Sequence, residues 1–150
     1  MSWRRILVAT DFSEHADAAL SLALDLAERV GASVTILHSY HVVIPQAVPP
    51  SGGGFRMSGS VARELREQAR QAVERLAREH SRPGLELKGV AVEAPPAFAI
   101  TSEAERMPAD LIVMGARGHS GLRRALIGSV AGKVLRTAPC PVLTVHASEA

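Results

Sequence analysis

Five short apolar runs, each set apart from the next by a helical or looped stretch, constrain this chain more than any other feature. The first, Arg5-Ile-Leu-Val-Ala9, has the length and β-branched content of a buried strand. Ser33-Val-Thr-Ile-Leu-His-Ser39, residues 85–92, Leu111-Ile-Val-Met114 and Pro141-Val-Leu-Thr-Val145 read the same way. Between the first two, residues 13–30 carry Glu14, Asp17, Ser21, Asp25 and Glu28 on one stripe. Ala16, Leu20, Ala23, Ala27 and Val30 form the opposite stripe, which predicts an amphipathic helix. Ser13 suits its N-cap, Glu14 and Asp17 its first turns, and Gly31 its end. A second helix over about 60–80 sets Val61, Leu65, Ala69, Ala72 and Leu76 at helical spacing. A shorter one follows Pro95-Pro96 and ends near Met107-Pro108, and residues 129–136 read as the last.

Strands separated by helices imply crossover connections, hence an α/β fold: a doubly wound parallel sheet with helices on both faces. One such domain is expected across residues 1–150, with no internal repeat and no coiled coil. The stretch from Tyr40 to about Ser60 holds Pro45, Pro49, Pro50, Gly52, Gly53, Gly54 and Gly59, so it reads as a long loop, a candidate lid or insertion. On the second helix, Arg63–Glu67, Arg70–Glu74, Glu74–Arg78 and Arg75–Glu79 are four apart, the pattern of a solvated, self-paired face.

Composition narrows the partners. A net charge of +2 with 3% aromatic residues leaves neither a basic surface nor stacking platforms for nucleic acid. A single cysteine excludes an internal disulfide framework and suits a reducing compartment. No apolar run approaches the ~18 residues of a membrane span. Arg4-Arg5 is no export signal, because Asp11 ends the apolar run behind it too early. The cytoplasm is the expected location.

The chemistry concentrates after the fourth run. Gly115-Ala-Arg-Gly118 follows Asp110-Leu-Ile-Val-Met114 directly, and nine residues then separate Gly118 from Gly128-Ser129. Glycines let backbone N–H groups approach an anion with no side chain in the way. A helix opening at Ser129, read here as its capping residue, adds unpaired N–H donors and the positive end of its dipole. If the strand order is 3-2-1-4-5, it reverses between strands one and four, which end in Thr10-Asp11 and in this glycine segment. Ligands of such sheets sit at that reversal. A carboxylate on one side and a phosphate loop on the other suit a mononucleotide, with Asp11 toward ribose or base. Asp11 also has the chemistry of a helix cap.

Other candidates are weaker. A dinucleotide fingerprint belongs after strand one, where Thr10-Asp-Phe-Ser-Glu14 has no glycine. Gly132-Lys133 is followed by Val134 inside a helix, unlike a Walker motif. His38 and His41 lack companion ligands for a metal. Cys140 sits between two prolines and reads as core packing. Ser51-Gly-Gly-Gly54 follows no strand and reads as flexible loop.

The glycine spacing resembles the nucleotide loop of the universal stress protein family. Ile6-Leu-Val-Ala-Thr-Asp-Phe-Ser13, Asp110-Leu-Ile-Val-Met-Gly115 and Pro139-Cys-Pro-Val-Leu-Thr-Val145 extend the likeness over almost the whole chain. The resemblance implies a five-stranded sheet in the order 3-2-1-4-5, usually a homodimer. It also implies ATP binding, since members that do not bind ATP lack the full glycine motif. By position, Thr10 and Asp11 would lie at the adenosine, the Ser39 backbone at adenine, and Met114 and Gly115 beside the ribose. Gly118, Gly128, Ser129 and Val130 would meet the phosphates, which would carry Mg2+. Arg117 and His119 lie inside the motif without being fixed by it.

The expected function is an ATP-binding, stress-response signalling module that pairs with a second copy through the fifth strand, residues 141–145. Arg117, Arg123, Arg124 and Lys133 have the charge to stabilise phosphoryl transfer, yet no residue is marked as positioning water, so hydrolysis should be slow. Two alternatives stay open: a slow ATPase or nucleotidyl-transfer enzyme with His119 or Asp11 as base, and an interaction protein with an empty loop. Identifying any co-purified nucleotide and timing its turnover separates them.

Overall fold

The computed structural model describes residues 2–41, 59–119 and 126–148. Along the chain run β1 (Arg5–Thr10), α1 (Glu14–Val30), β2 (Ser33–Tyr40), α2 (Gly59–Glu79) and β3 (Leu87–Glu93). Then come α3 (Pro96–Arg106), β4 (Leu111–Gly115), α4 (Ser129–Thr137) and β5 (Val142–Val145). All neighbouring strands pair in parallel, as the alternation of runs predicts, in the order β3-β2-β1-β4-β5 that the family resemblance implies. The Ser51–Gly54 run and most of the predicted long loop lie outside the described residues, as do Arg123 and Arg124.

The two-residue period of the strands sorts the core into two layers. Ile6, Val8, Val34, Ile36, Leu111 and Val113 meet α1 and α2 on one face. Leu7, Leu37, Ile112 and Met114 meet α3 and α4 on the other. β1, β2 and β4 are apolar on both faces because both are covered.

Helix α1 starts and stops where its caps dictate. Ser13 Oγ accepts from the Ala16 N–H at 3.3 Å, and Gly31 closes the helix in the left-handed region at φ 71°. Its buried stripe ends at Ala27; Val30, expected on that stripe, lies 46% exposed at the final turn. Helix α2 departs further from expectation. Its buried residues are Ala69, Val73 and Ala77, whereas Val61 and Leu65 are exposed. Length explains this: 21 helical residues span about 31 Å, and the 7 residues of β3 only about 23 Å, so the helix outruns the strand it covers. Where the two meet, a Cβ on Gly89 would stand 2.6 Å from the Val73 carbonyl oxygen, so glycine lets the helix backbone lie against β3. Arg70 bridges Glu67 and Glu74 on the outer face, and Arg82 ties Asp25 and Glu28 of α1 to the approach to β3, both at 2.9 Å.

Asp110 aligns the starts of two central strands. Its carboxylate accepts from the Arg4 and Arg5 N–H groups, each at 2.9 Å, and its own N–H donates to the Arg5 carbonyl. Those two backbone bonds hold its pKa below the ordinary aspartate value against a smaller opposing effect of burial. Among the described residues no helix is long and apolar enough to cross a membrane.

Candidate functional site

β1 ends in a turn whose polar groups fold back on themselves. Thr10 Oγ1 accepts from the Phe12 N–H at 3.0 Å, and Asp11 Oδ1 from the Ser13 N–H at 2.9 Å. Phe12 between them has φ 61°, an unfavourable conformation for a bulky side chain. Its ring leans on that of His38, with centroids 4.7 Å apart. His38 Nδ1 lies 3.1 Å from the Thr10 carbonyl oxygen, which only accepts, so Nδ1 carries the proton. The cap of α1 is Ser13; Asp11 instead closes the turn leading into it.

The glycine segment leaves β4 beside this turn. A Cβ on Gly118 would meet Asp11 Oδ2 at 2.6 Å, and one on Gly115 would meet the His15 Cβ at 2.9 Å. His119 Nε2 lies 2.7 Å from the Asp11 carbonyl oxygen. Ala116 is bonded on both sides: its N–H donates to the Val145 carbonyl at 2.8 Å, and its carbonyl accepts from the Gly128 N–H at 2.8 Å. On the α1 side, His15 Nδ1 accepts from the Ala147 N–H at 2.9 Å.

Gly128, not Ser129, is the N-cap of α4; its backbone is extended, with no side-chain cap bond, and Ser129 is the first helical residue. The predicted serine cap is therefore corrected by one position. A side chain on Gly128 would approach the Ala116 carbonyl oxygen at 3.3 Å, so the helix start packs directly on the loop. The first N–H groups of α4, those of Ser129, Val130 and Ala131, have no intrahelical acceptor and make a donor cluster for an anion.

A cavity of about 350 Å3 opens at these strand ends. Every residue assigned from the sequence to nucleotide contact lines it: Thr10 and Asp11 from the β1 end, Ser39 from β2, and Met114, Gly115, Arg117, Gly118 and His119 from β4 and its loop. Gly128, Ser129 and Val130 complete the set. The apolar side of the cavity was not named from the sequence. Leu37, Ile100, Ala9 and Ala131 line it, and a signal for one existed: Leu37 stands two residues before Ser39, on the same strand face. Its volume and its mixture of apolar wall and backbone donors fall in the range of small-molecule sites.

The remaining candidates sit elsewhere. Cys140 is half-buried against the α3–α4 layer, and burial pushes its thiol pKa up, away from the range of a nucleophile. Lys133 is exposed on α4 and does not line the cavity. No group of three metal-ligating side chains occurs among the described residues, and His38 is engaged with Thr10 and Phe12.

The universal stress protein family model matches residues 2–146. Universal stress protein MJ0531 of Methanocaldococcus jannaschii is 34% identical over 143 residues, covering 95% of this chain and 82% of that one. The solved structure of MJ0577, also from Methanocaldococcus jannaschii, is similar with a TM-score of 0.78 at 27% identity, covering 100% of both chains. A universal stress protein from Archaeoglobus fulgidus, solved in complex with dAMP, is similar with a TM-score of 0.62 at 26% identity, covering 97% of this chain and 99% of that one. With residues 2–146 matched, its strand order shared and its glycine segment in place, the chain belongs to the universal stress protein family.

Proposed function

We propose that the cavity binds an adenine nucleotide, ATP foremost, and that the chain works as a nucleotide-dependent stress-response module in the cytoplasm rather than as a dedicated enzyme. The observation that carries this reading is convergence. Residues from four separate stretches of sequence, picked for a nucleotide, surround one cavity with an apolar side and a donor-rich side. The apolar side, with Leu37, Ile100 and Met114, suits a flat base, with the Ser39 backbone at its edge. Asp11, in the cavity wall, would accept from a ribose hydroxyl. The start of α4, with the unpaired N–H groups of Ser129, Val130 and Ala131, suits the phosphates, and the glycine motif that the resemblance ties to ATP binding favours ATP. The dAMP complex of the Archaeoglobus fulgidus relative supports the choice of adenine.

A Cβ at Gly118 would meet the Asp11 carboxylate and one at Gly128 the Ala116 carbonyl oxygen, so both positions keep bare backbone beside the proposed phosphate site. Mg2+ carried on the phosphates would offset repulsion from the nearby Asp11 carboxylate. Both candidate bases are already engaged: His119 Nε2 with the Asp11 carbonyl, and Asp11 Oδ1 with the Ser13 N–H. Slow turnover is proposed on this basis, since among the described residues no other cavity-lining side chain is a ready base to orient water.

The working unit is proposed as a homodimer through β5. That strand ends the sheet, and its four residues, Val142 to Val145, are only half-buried in the single chain. An open apolar edge of this kind calls for cover. Denaturing the purified protein and identifying the released nucleotide by mass, then timing ATP consumption, tests the functional reading. Retained or titratable adenine nucleotide with slow turnover supports it. Brisk turnover would reclassify the chain as an enzyme, and no binding would leave an interaction protein.

A further inference from the structure

The β1–α1 turn is held by two histidines that come from opposite flanks. Consecutive carbonyls, those of Thr10 and Asp11, accept from His38 on β2 and from His119 after β4. A carbonyl oxygen has no proton to give, so both ring nitrogens facing it are protonated. The turn needs holding: Phe12 sits at φ 61°, and such backbone persists only where its surroundings fix it. His38 braces the side packed on Phe12. His119 braces the side facing the cavity, reaching across 108 residues of sequence.

We propose that His119 is a positioning residue, which holds the Asp11 carboxylate in register with the glycine loop through the Asp11 carbonyl. The inference rests on the nucleotide reading above and assigns His119 its part in it. Three contacts close a small ring. His119 follows Gly118 directly, it bonds to the Asp11 main chain, and the Asp11 carboxylate returns to cover Gly118, with Oδ2 2.6 Å from the position of a Cβ there. The loop that would receive phosphates and the carboxylate that would receive a ribose hydroxyl therefore move as one piece. A nucleotide then meets both contacts already aligned, which reduces the ordering cost of binding. His119 is exposed, so its hydrogen bond adds little to global stability. Its Nε2–H points at the carbonyl, so it is not the donor a direct phosphate contact would use.

The test is a double-mutant cycle with ATP as the probe, read by calorimetric titration in wild type, His119→Ala, Asp11→Ala and the double variant. His119→Ala should weaken binding about two- to tenfold, the span of one net hydrogen bond. In the Asp11→Ala background the same change should cost nothing further, and His119→Gln, which keeps a side-chain N–H, should recover most of the loss. Additive losses would make His119 a direct ligand contact and overturn the proposal. Affinity unchanged in His119→Ala would overturn it too. A second arm needs no ligand: in the nucleotide-free protein, His119→Ala should shift the Phe12 and Ser13 amide resonances and speed their hydrogen exchange. Should wild type take up no ATP, the nucleotide reading falls and this arm decides alone. Shifted amides then uphold the clamp, and unchanged ones overturn it.

Discussion

The Asp11 carboxylate occupies the space that a side chain at Gly118 would need, with Oδ2 2.6 Å from the position of a Cβ there. The obstructing atom is a side-chain oxygen and not backbone, so it can yield at the cost of the bond from the Ser13 N–H to the same carboxylate. Gly118→Val is therefore expected to fold and yet to lose ATP binding, because the valine both displaces Asp11 and covers the loop amides. At Gly128 the nearest atom is a backbone oxygen, at 3.3 Å, so Gly128→Val should lose binding and melt lower as well. Calorimetric titration beside a thermal melt separates the two. Wild-type affinity in Gly118→Val would remove the loop from the site.

Asp11→Ala should weaken nucleotide binding while leaving its salt dependence nearly as in wild type. A carboxylate bonded to a ribose hydroxyl acts through a charge-assisted hydrogen bond and neutralises no phosphate. Titrations at low and high ionic strength measure this. A lowered melting temperature with intact affinity would make Asp11 a residue of the turn alone.

Ser129→Ala should leave the melting temperature where it is. A serine at the N-cap typically contributes ~1 kcal/mol, but Ser129 is the first helical residue, and Gly128 holds the cap position. Only a mild loss of nucleotide affinity is expected, from one hydroxyl contact. A melting temperature several degrees lower would show that the hydroxyl supports the helix after all.

Asp110 makes stability depend on pH in one direction. Its folded pKa is held below the ordinary value by the Arg4 and Arg5 N–H groups, so it contributes fully above the unfolded pKa of about 3.9. That contribution fades as pH falls through the lower, folded pKa. Urea midpoints of wild type and Asp110→Asn should differ at neutral pH and converge in acid, where both side chains are uncharged. A difference that persists undiminished at low pH would contradict the assignment.

Strand β5 offers a cleaner dimer test than its sequence suggests. Its inward bonds use the Pro141 and Val145 carbonyls, so by alternation Leu143 faces β4 while the N–H groups of Val142 and Thr144 point to the open edge. Leu143→Pro would injure the sheet itself. Thr144→Pro removes only an outward donor and should leave a folded monomer. Light scattering at about tens of micromolar reads the difference; a monomeric wild type would defeat the interface.

The alternation of strands and helices and the glycine side of the cavity were legible in local signals, namely apolar runs, glycine spacing and turns at strand ends. The strand order and the places of Ser39 and Met114 came instead from the family resemblance. What escaped was set by distance or by phase. Gly128 and Ser129 are both good cap residues, and sequence alone does not say which of two neighbours takes the position. The spacing of Val61 and Leu65 is helical in either case; only the length of β3 beneath them decides that they stay exposed. The bond from His119 to Asp11 joins two ends of the chain, and neither residue type announces it.

Ala116 has its N–H on the sheet's last strand and its carbonyl oxygen on the cap of α4. Two planar peptide groups hinged at one buried Cα are thus a shared wall between the edge where a second copy would add and the chamber where a ligand would sit. Linkage then runs both ways: whatever factor a bound ligand applies to pairing, pairing returns to the ligand.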